Sequence, residues 1–165
     1  MKRVIAIVLS VVMLISAIPF AYAANNEVVE NEEFVDYIVE NGARYTTKPT
    51  VKWDLSNATY HGSFSGVKAG VYTNYYFTGV TYITVSFFNL RTDSEQCKFE
   101  FALTDLTDSY GSSGFRDVDL DGSDTVGTDA YGSYTGLNSN HKYCIFMRTV
   151  QPDEAASGDI YVNGG

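Results

Sequence analysis

The chain has 165 residues, with 11 Lys+Arg against 20 Asp+Glu, a formal net charge of -9 and 45% apolar residues. That is enough chain for one domain and too apolar a composition for a disordered segment. It is also too acidic to grip nucleic acid through a basic footprint, and its 2 cysteines are too few for a disulfide-dense miniprotein.

Lys2 and Arg3 precede an apolar run from Val4 to Ala17, followed by Pro19 and the small-x-small triplet Ala21-Tyr22-Ala23. Basic region, apolar region and cleavage triplet in that order predict a secretory signal peptide over 1–23. The apolar run is shorter than the roughly 20 residues of a spanning helix, so the expected product is an exported chain, released outside the cell with no membrane segment. An uncleaved anchor is the alternative. Within 24–43, the residues Phe34, Val35, Ile38 and Val39 share one stripe at helical spacing, acids crowd the early positions, and Gly42 supplies a stop. This predicts one short amphipathic N-terminal helix, serving as a cap on a sheet or as a propeptide or partner-binding element.

From Arg44 onward the pattern is β. Val51, Trp53 and Leu55 alternate with polar residues, as do Ile83, Val85 and Phe87, and then Cys97, Phe99, Phe101 and Leu103. Tyr75–Thr78, Tyr143–Val150 and Ile160–Val162 read as further strands. Gly and Ser mark loops at 62–66, 111–114, 122–123, 132–136 and 157–158. Short strands with frequent turn signals and no intervening helices predict a mainly β fold, an antiparallel β-sandwich over 44–165. Gly62–Val67 and Gly132–Leu137 echo each other, either as related sheet corners or as chance recurrence of glycine-serine turns.

Export would place Cys97 and Cys144 in an oxidising compartment, where a single Cys97–Cys144 disulfide is expected. One conflict is visible in the pattern. If Cys97 points inward with Phe99 and Phe101, a bonded Cys144 points inward with Phe146, which sends Tyr143, Ile145 and Met147 outward. A strand covered on both faces, or a bulge, would reconcile the two.

Two patterns are candidates for a site. Asp117-Val118-Asp119-Leu120-Asp121-Gly122 has oxygen ligands two residues apart followed by Gly, as a Ca²⁺ loop requires, with Ser123, Thr125 and Asp129 completing the set. Thr128 stands where a bidentate Glu should close the loop, and no helix pair flanks it, so an EF-hand is excluded. The competing reading puts the three Asp on the wet face of a strand, with Val118 and Leu120 inward. The second pattern is aromatic. Tyr60, Tyr72, Tyr75, Tyr76, Tyr110, Tyr131 and Tyr134 lie in or beside Gly/Ser segments, and amphipathic rings near loops make platforms for sugars and protein surfaces. Catalysis has little support: His61 and His141 are the only histidines, and no Gly-x-Ser-x-Gly nucleophile elbow is present.

The runs Tyr75–Val85, Phe99–Asp105, Lys142–Ile145 and Ser157–Val162 resemble the strand sequence of bacterial pre-peptidase C-terminal-like domains. That resemblance covers about residues 60–162 and implies a jelly-roll-like sandwich with a non-catalytic accessory or adhesive role. Val71–Tyr76 is similar to a motif of lactococcin-like bacteriocins, and the whole chain is similar to small exported Gram-positive proteins. The expectation is therefore a secreted, calcium-stabilised binding module for an extracellular glycan or protein surface. A bacteriocin-like effector is the alternative, with a small hydrolase behind it.

Overall fold

Period-two alternation dictates what the structure contains, two sheets whose apolar faces meet. A computed structural model describes the backbone of residues 36–37, and residues 47–108 and 113–165 in full. The predicted signal segment, Tyr110 and nearly all of the predicted helix lie outside the described residues. All described residues fall in one compact unit, Glu33–Gly165. Its strands are β1 (Asp36–Tyr37), β2 (Val51–Asp54), β3 (Tyr60–Val67), β4 (Val71–Tyr72), β5 (Tyr75–Thr78), β6 (Tyr82–Thr92), β7 (Gln96–Asp105), β8 (Arg116–Asp121), β9 (Thr128–Thr135), β10 (Tyr143–Thr149) and β11 (Ala156–Gly164), with no helix among the described residues. Asp36 and Tyr37 fall inside the expected helix but are extended, pairing in parallel with Gly62 and Ser63. The open edge of β3 offers them backbone hydrogen bonds, which wins over local helical spacing at those two positions.

The first sheet runs β1-β3-β11-β6-β9 and the second β2-β5-β10-β7-β8, with β4 also paired to β10. Every pairing is antiparallel except β1–β3 and β2–β5. The two inner faces share one core. Phe64 of β3 stacks on Phe99 of β7 at 5.7 Å, and Phe87 of β6 meets Phe99 at 5.3 Å and Phe101 at 4.7 Å. These are phenylalanines from opposite sheets, meeting at spacings where offset and edge-to-face ring pairs are favourable. At Gly132 of β9 a Cβ would come within 2.9 Å of the Phe101 ring, so glycine is what lets β9 approach that core.

Three sequence expectations change. Residues 62–66, 132–135 and 157–158 are not loops but lie within β3, β9 and β11, and in β3 and β9 inward and outward positions alternate through the Gly and Ser. The echo therefore lies in strands of one sheet. The disulfide is absent, and Cys97 and Cys144 are both free and buried. On the β7–β10 ladder Cys144 stands opposite Thr104, seven residues along β7 from Cys97. At the strand rise that is roughly 23 Å, far beyond the Cα separation of about 7 Å that a disulfide spans. The inward-facing conflict disappears with it. Tyr143, Ile145 and Met147 join the core, while Cys144 faces the other side of β10 and is buried there too. Burial pushes the Cys97 thiol up to about 11 and the Cys144 thiol up to about 12.

Candidate functional site

On the outer face of the first sheet, alternation should expose one side chain every second residue on each strand. Strand β6 breaks that rhythm. Between Phe87 and Leu90 its register shifts against β9, and against β11 it shifts between the partners Phe88 and Arg91. One extra residue is thereby inserted on β6, and Asn89 takes it up with φ of 54°. Phe87 and Leu90 both stay buried, so Phe88 and Asn89 are both turned outward. Left-handed backbone at a non-glycine residue carries strain and is enriched at functional sites.

The re-aimed Phe88 completes a row of rings across four adjacent strands, β3, β11, β6 and β9. His61 stacks on its cross-strand partner Tyr161 at 3.9 Å and 16°. Tyr161 meets Phe88 edge-on at 5.4 Å, and Phe88 meets Tyr131 at 6.0 Å. Tyr131 is 61% exposed. A polar network runs beside the row. Asp159, the β11 residue opposite Phe88, accepts from Ser63 Oγ at 2.8 Å and from Asn89 Nδ2 at 3.1 Å. Asp129 accepts from the Asn89 amide at 3.4 Å, and the Tyr131 hydroxyl leans toward it at 3.5 Å. Other described side chains on this face include Ser65, Tyr82, Thr84, Ser86, Ser133, Thr135 and Asn163, with Arg91 at the margin donating to the Val126 carbonyl. Rings set among hydroxyls, amides and carboxylates, without aliphatic side chains, can stack against C–H faces while exchanging hydrogen bonds at the periphery.

Of the predicted tyrosines among the described residues, only Tyr131 belongs to this row. Tyr60 is fully buried, packing edge-on with Trp53 at 5.8 Å and Tyr75 at 6.0 Å. Tyr134 is buried on the inner side of β9 beneath Arg116. Tyr72 and Tyr76 lie on the outer face of the second sheet. There Tyr72 packs on Phe146 at 5.0 Å, Lys142 covers Tyr76 at 4.9 Å, and Arg148 covers Phe115 at 4.3 Å while pairing with Glu100 at 2.7 Å. Cations thus occupy ring faces on that side. Phe88, Tyr161 and His61 were not singled out as binding residues in the sequence, although the Phe87-Phe88-Asn89 break in alternation marks the position.

The acidic segment does not gather its oxygens. Asp117, Asp119 and Asp121 lie along β8, with Val118 half-buried and Leu120 buried between them. An extended strand spaces them about 7 Å apart, where a Ca²⁺ shell needs oxygens converging at 2.3–2.6 Å. Lys98 bridges Asp117 at 3.2 Å and Asp119 at 3.6 Å, putting a cation where the metal would sit. Asp121 turns away to bond the Ser123 amide, and Asp129 belongs to the ring face. Among the described residues no group of three or more His, Cys, Asp or Glu is placed to hold a metal. Ser123 and Thr125 lie in the exposed turn after β8.

His141 and Asp105 form a short polar pair, Nδ1 to Oδ2 at 2.6 Å, in a cleft of about 520 Å³ lined also by Leu103, Ser113, Tyr134 and Tyr143. Burial resists ionisation of Asp105, but the His141 bond and the Thr107 and Asp108 amides outweigh it and hold the carboxyl below its usual range. Among the described residues, the serine lining this cleft is Ser113, which is committed to the backbone of Leu103, whose carbonyl it donates to and whose amide donates to it. No family model and no curated protein matches the chain.

Proposed function

We propose that this chain is a secreted, non-catalytic β-sandwich of jelly-roll connectivity that binds an extracellular glycan across the outer face of its first sheet. The connectivity rests on strand order. With the two-residue β1 and β4 and the edge strand β2 set aside, the remaining strands run first–eighth–third–sixth in one sheet and second–seventh–fourth–fifth in the other, the layout of two interlocked Greek keys. The resemblance to pre-peptidase C-terminal-like domains points the same way, since those are accessory jelly rolls. Fold alone assigns no activity.

The observation that carries the binding reading is the composition of the face. Four rings in contact span four strands, and the side chains around them are Ser, Thr, Asn and Asp rather than Leu, Ile or Val. A protein-binding patch centres on apolar anchors excluded from water. A sugar offers C–H faces for rings and hydroxyls for small polar groups, which is the mixture found here. Calcium has no part in this reading, and neither does the Asp105–His141 pair, whose neighbouring serine is tied to the backbone.

The test is retention of the purified protein on a panel of immobilised polysaccharides. Wild type is expected to be retained by at least one, Tyr131→Ala to lose most of that retention, and Tyr72→Ala on the opposite face to keep it. Retention by none, or equal loss in both variants, would sink the proposal. Growth inhibition of neighbouring bacteria by the pure protein would favour the effector reading instead.

A further inference from the structure

Resting on the glycan reading of the same face, we infer that the preferred glycan carries free amino groups, as a de-N-acetylated amino-sugar polymer does. The Phe88 ring has a carboxylate on either side. Asp159 is its register partner on β11, and Asp129 stands on β9 two residues before Tyr131. Asn89, at the inserted position of β6, is hydrogen-bonded to both. The bulge that brings Phe88 outward therefore also fixes two anions beside it. Neither carboxylate is in an ion pair with any described residue. Each Asp159 oxygen accepts one hydrogen bond, while a carboxylate offers about four acceptor sites in all, so both oxygens can take another donor. Besides His61, which stacks on Tyr161, the basic side chain on the face among the described residues is Arg91, directed to the Val126 carbonyl.

A pyranose lying on Phe88 would project its equatorial substituents sideways, toward these two carboxylates. Hydroxyls there make neutral hydrogen bonds. An ammonium makes charge-assisted ones, which are roughly twice as strong. Uronic or sulfated sugars meet like charge and are disfavoured. Because Asp129 is exposed and Asp159 half-buried, the preference is salt-sensitive.

The experiment titrates the full chain with three soluble polymers of related backbone, hydroxyethylcellulose, glycol chitin and glycol chitosan, with polylysine as a charge-only control. Expected is at least ~10-fold tighter binding of glycol chitosan than of glycol chitin at low salt, narrowing as salt rises. Asp129→Asn should weaken glycol chitosan binding more than neutral-polymer binding and so shrink that ratio, and Phe88→Ala should weaken all three glycans. Should Asp159→Asn misfold through loss of its Ser63 and Asn89 bonds, Asp129→Asn still decides. Equal affinity for the three glycans would overturn the amino-sugar inference and leave the glycan reading standing. Polylysine binding as tightly as glycol chitosan, unaffected by Phe88→Ala, would overturn the inference in favour of a cationic protein partner. No binding to any glycan would remove the glycan reading and the inference with it.

Discussion

Individual side chains show how much their partners decide. Asp105 ionises more readily in the folded chain than in the unfolded one, so unfolding takes up a proton as the pH drops. Its contribution is present above about pH 4 and is lost as the pH falls through the lowered folded value. Thermal melts should show Asp105→Asn less stable than wild type by about 1–3 kcal/mol at pH 7, with the gap closing below pH 4. A gap unchanged down to pH 2 would contradict this. The cysteines act with the opposite sign. Their folded values of about 11 and about 12 lie above the unfolded one, so their contribution is complete at neutral pH and fades as the pH rises through those values. Both thiols should resist alkylation in the native protein, react on denaturation without reductant, and cause part of the alkaline loss of stability that Cys144→Ala removes. Their even number pointed to a disulfide; only the ladder register, which depends on how distant strands align, separates them. Tyr131, a ring the sequence offers as a platform, is exposed, whereas Tyr60 and Tyr134 resemble it in sequence but face inward.

At the scale of single elements, alternation was the most readable signal. Cys97, Phe99, Phe101 and Leu103 all reach the core as their spacing predicts. The same rule served β8, where Val118 and Leu120 alternate inward between the three Asp and leave no convergent oxygen set. Added Ca²⁺ should therefore leave Tm where chelator leaves it; a rise that vanishes in Asp119→Asn/Asp121→Asn would contradict that geometry. What alternation hides is the inserted residue of β6. Phe87-Phe88-Asn89-Leu90 reads as a lapse in period, and only pairing with both neighbours identifies it as a bulge that turns Phe88 and Asn89 to one face. Gly132 is equally silent in sequence, yet a side chain there would press into Phe101. Gly132→Val should destabilise the fold by about 1–3 kcal/mol in denaturant unfolding, and a variant as stable as wild type would show that β9 has room to spare.

For the molecule as a whole, composition and strand rhythm disclose a two-sheet β protein, because burying one face of each strand is the way such a pattern satisfies itself. Which strands become neighbours is decided by long-range pairing, and that pairing is what lines up His61, Tyr161, Phe88 and Tyr131 from four separate stretches of chain. The two faces divide along that line. One has its rings capped by Lys142 and Arg148, and the other presents rings beside carboxylates. The most direct test is to map backbone-amide shifts by NMR during titration with a glycan that the protein retains. The account predicts shifts concentrated at 61–63, 86–89, 129–131 and 159–161. Shifts confined to the surroundings of Tyr72, Tyr76 and Phe146, or to the His141 cleft, would contradict it.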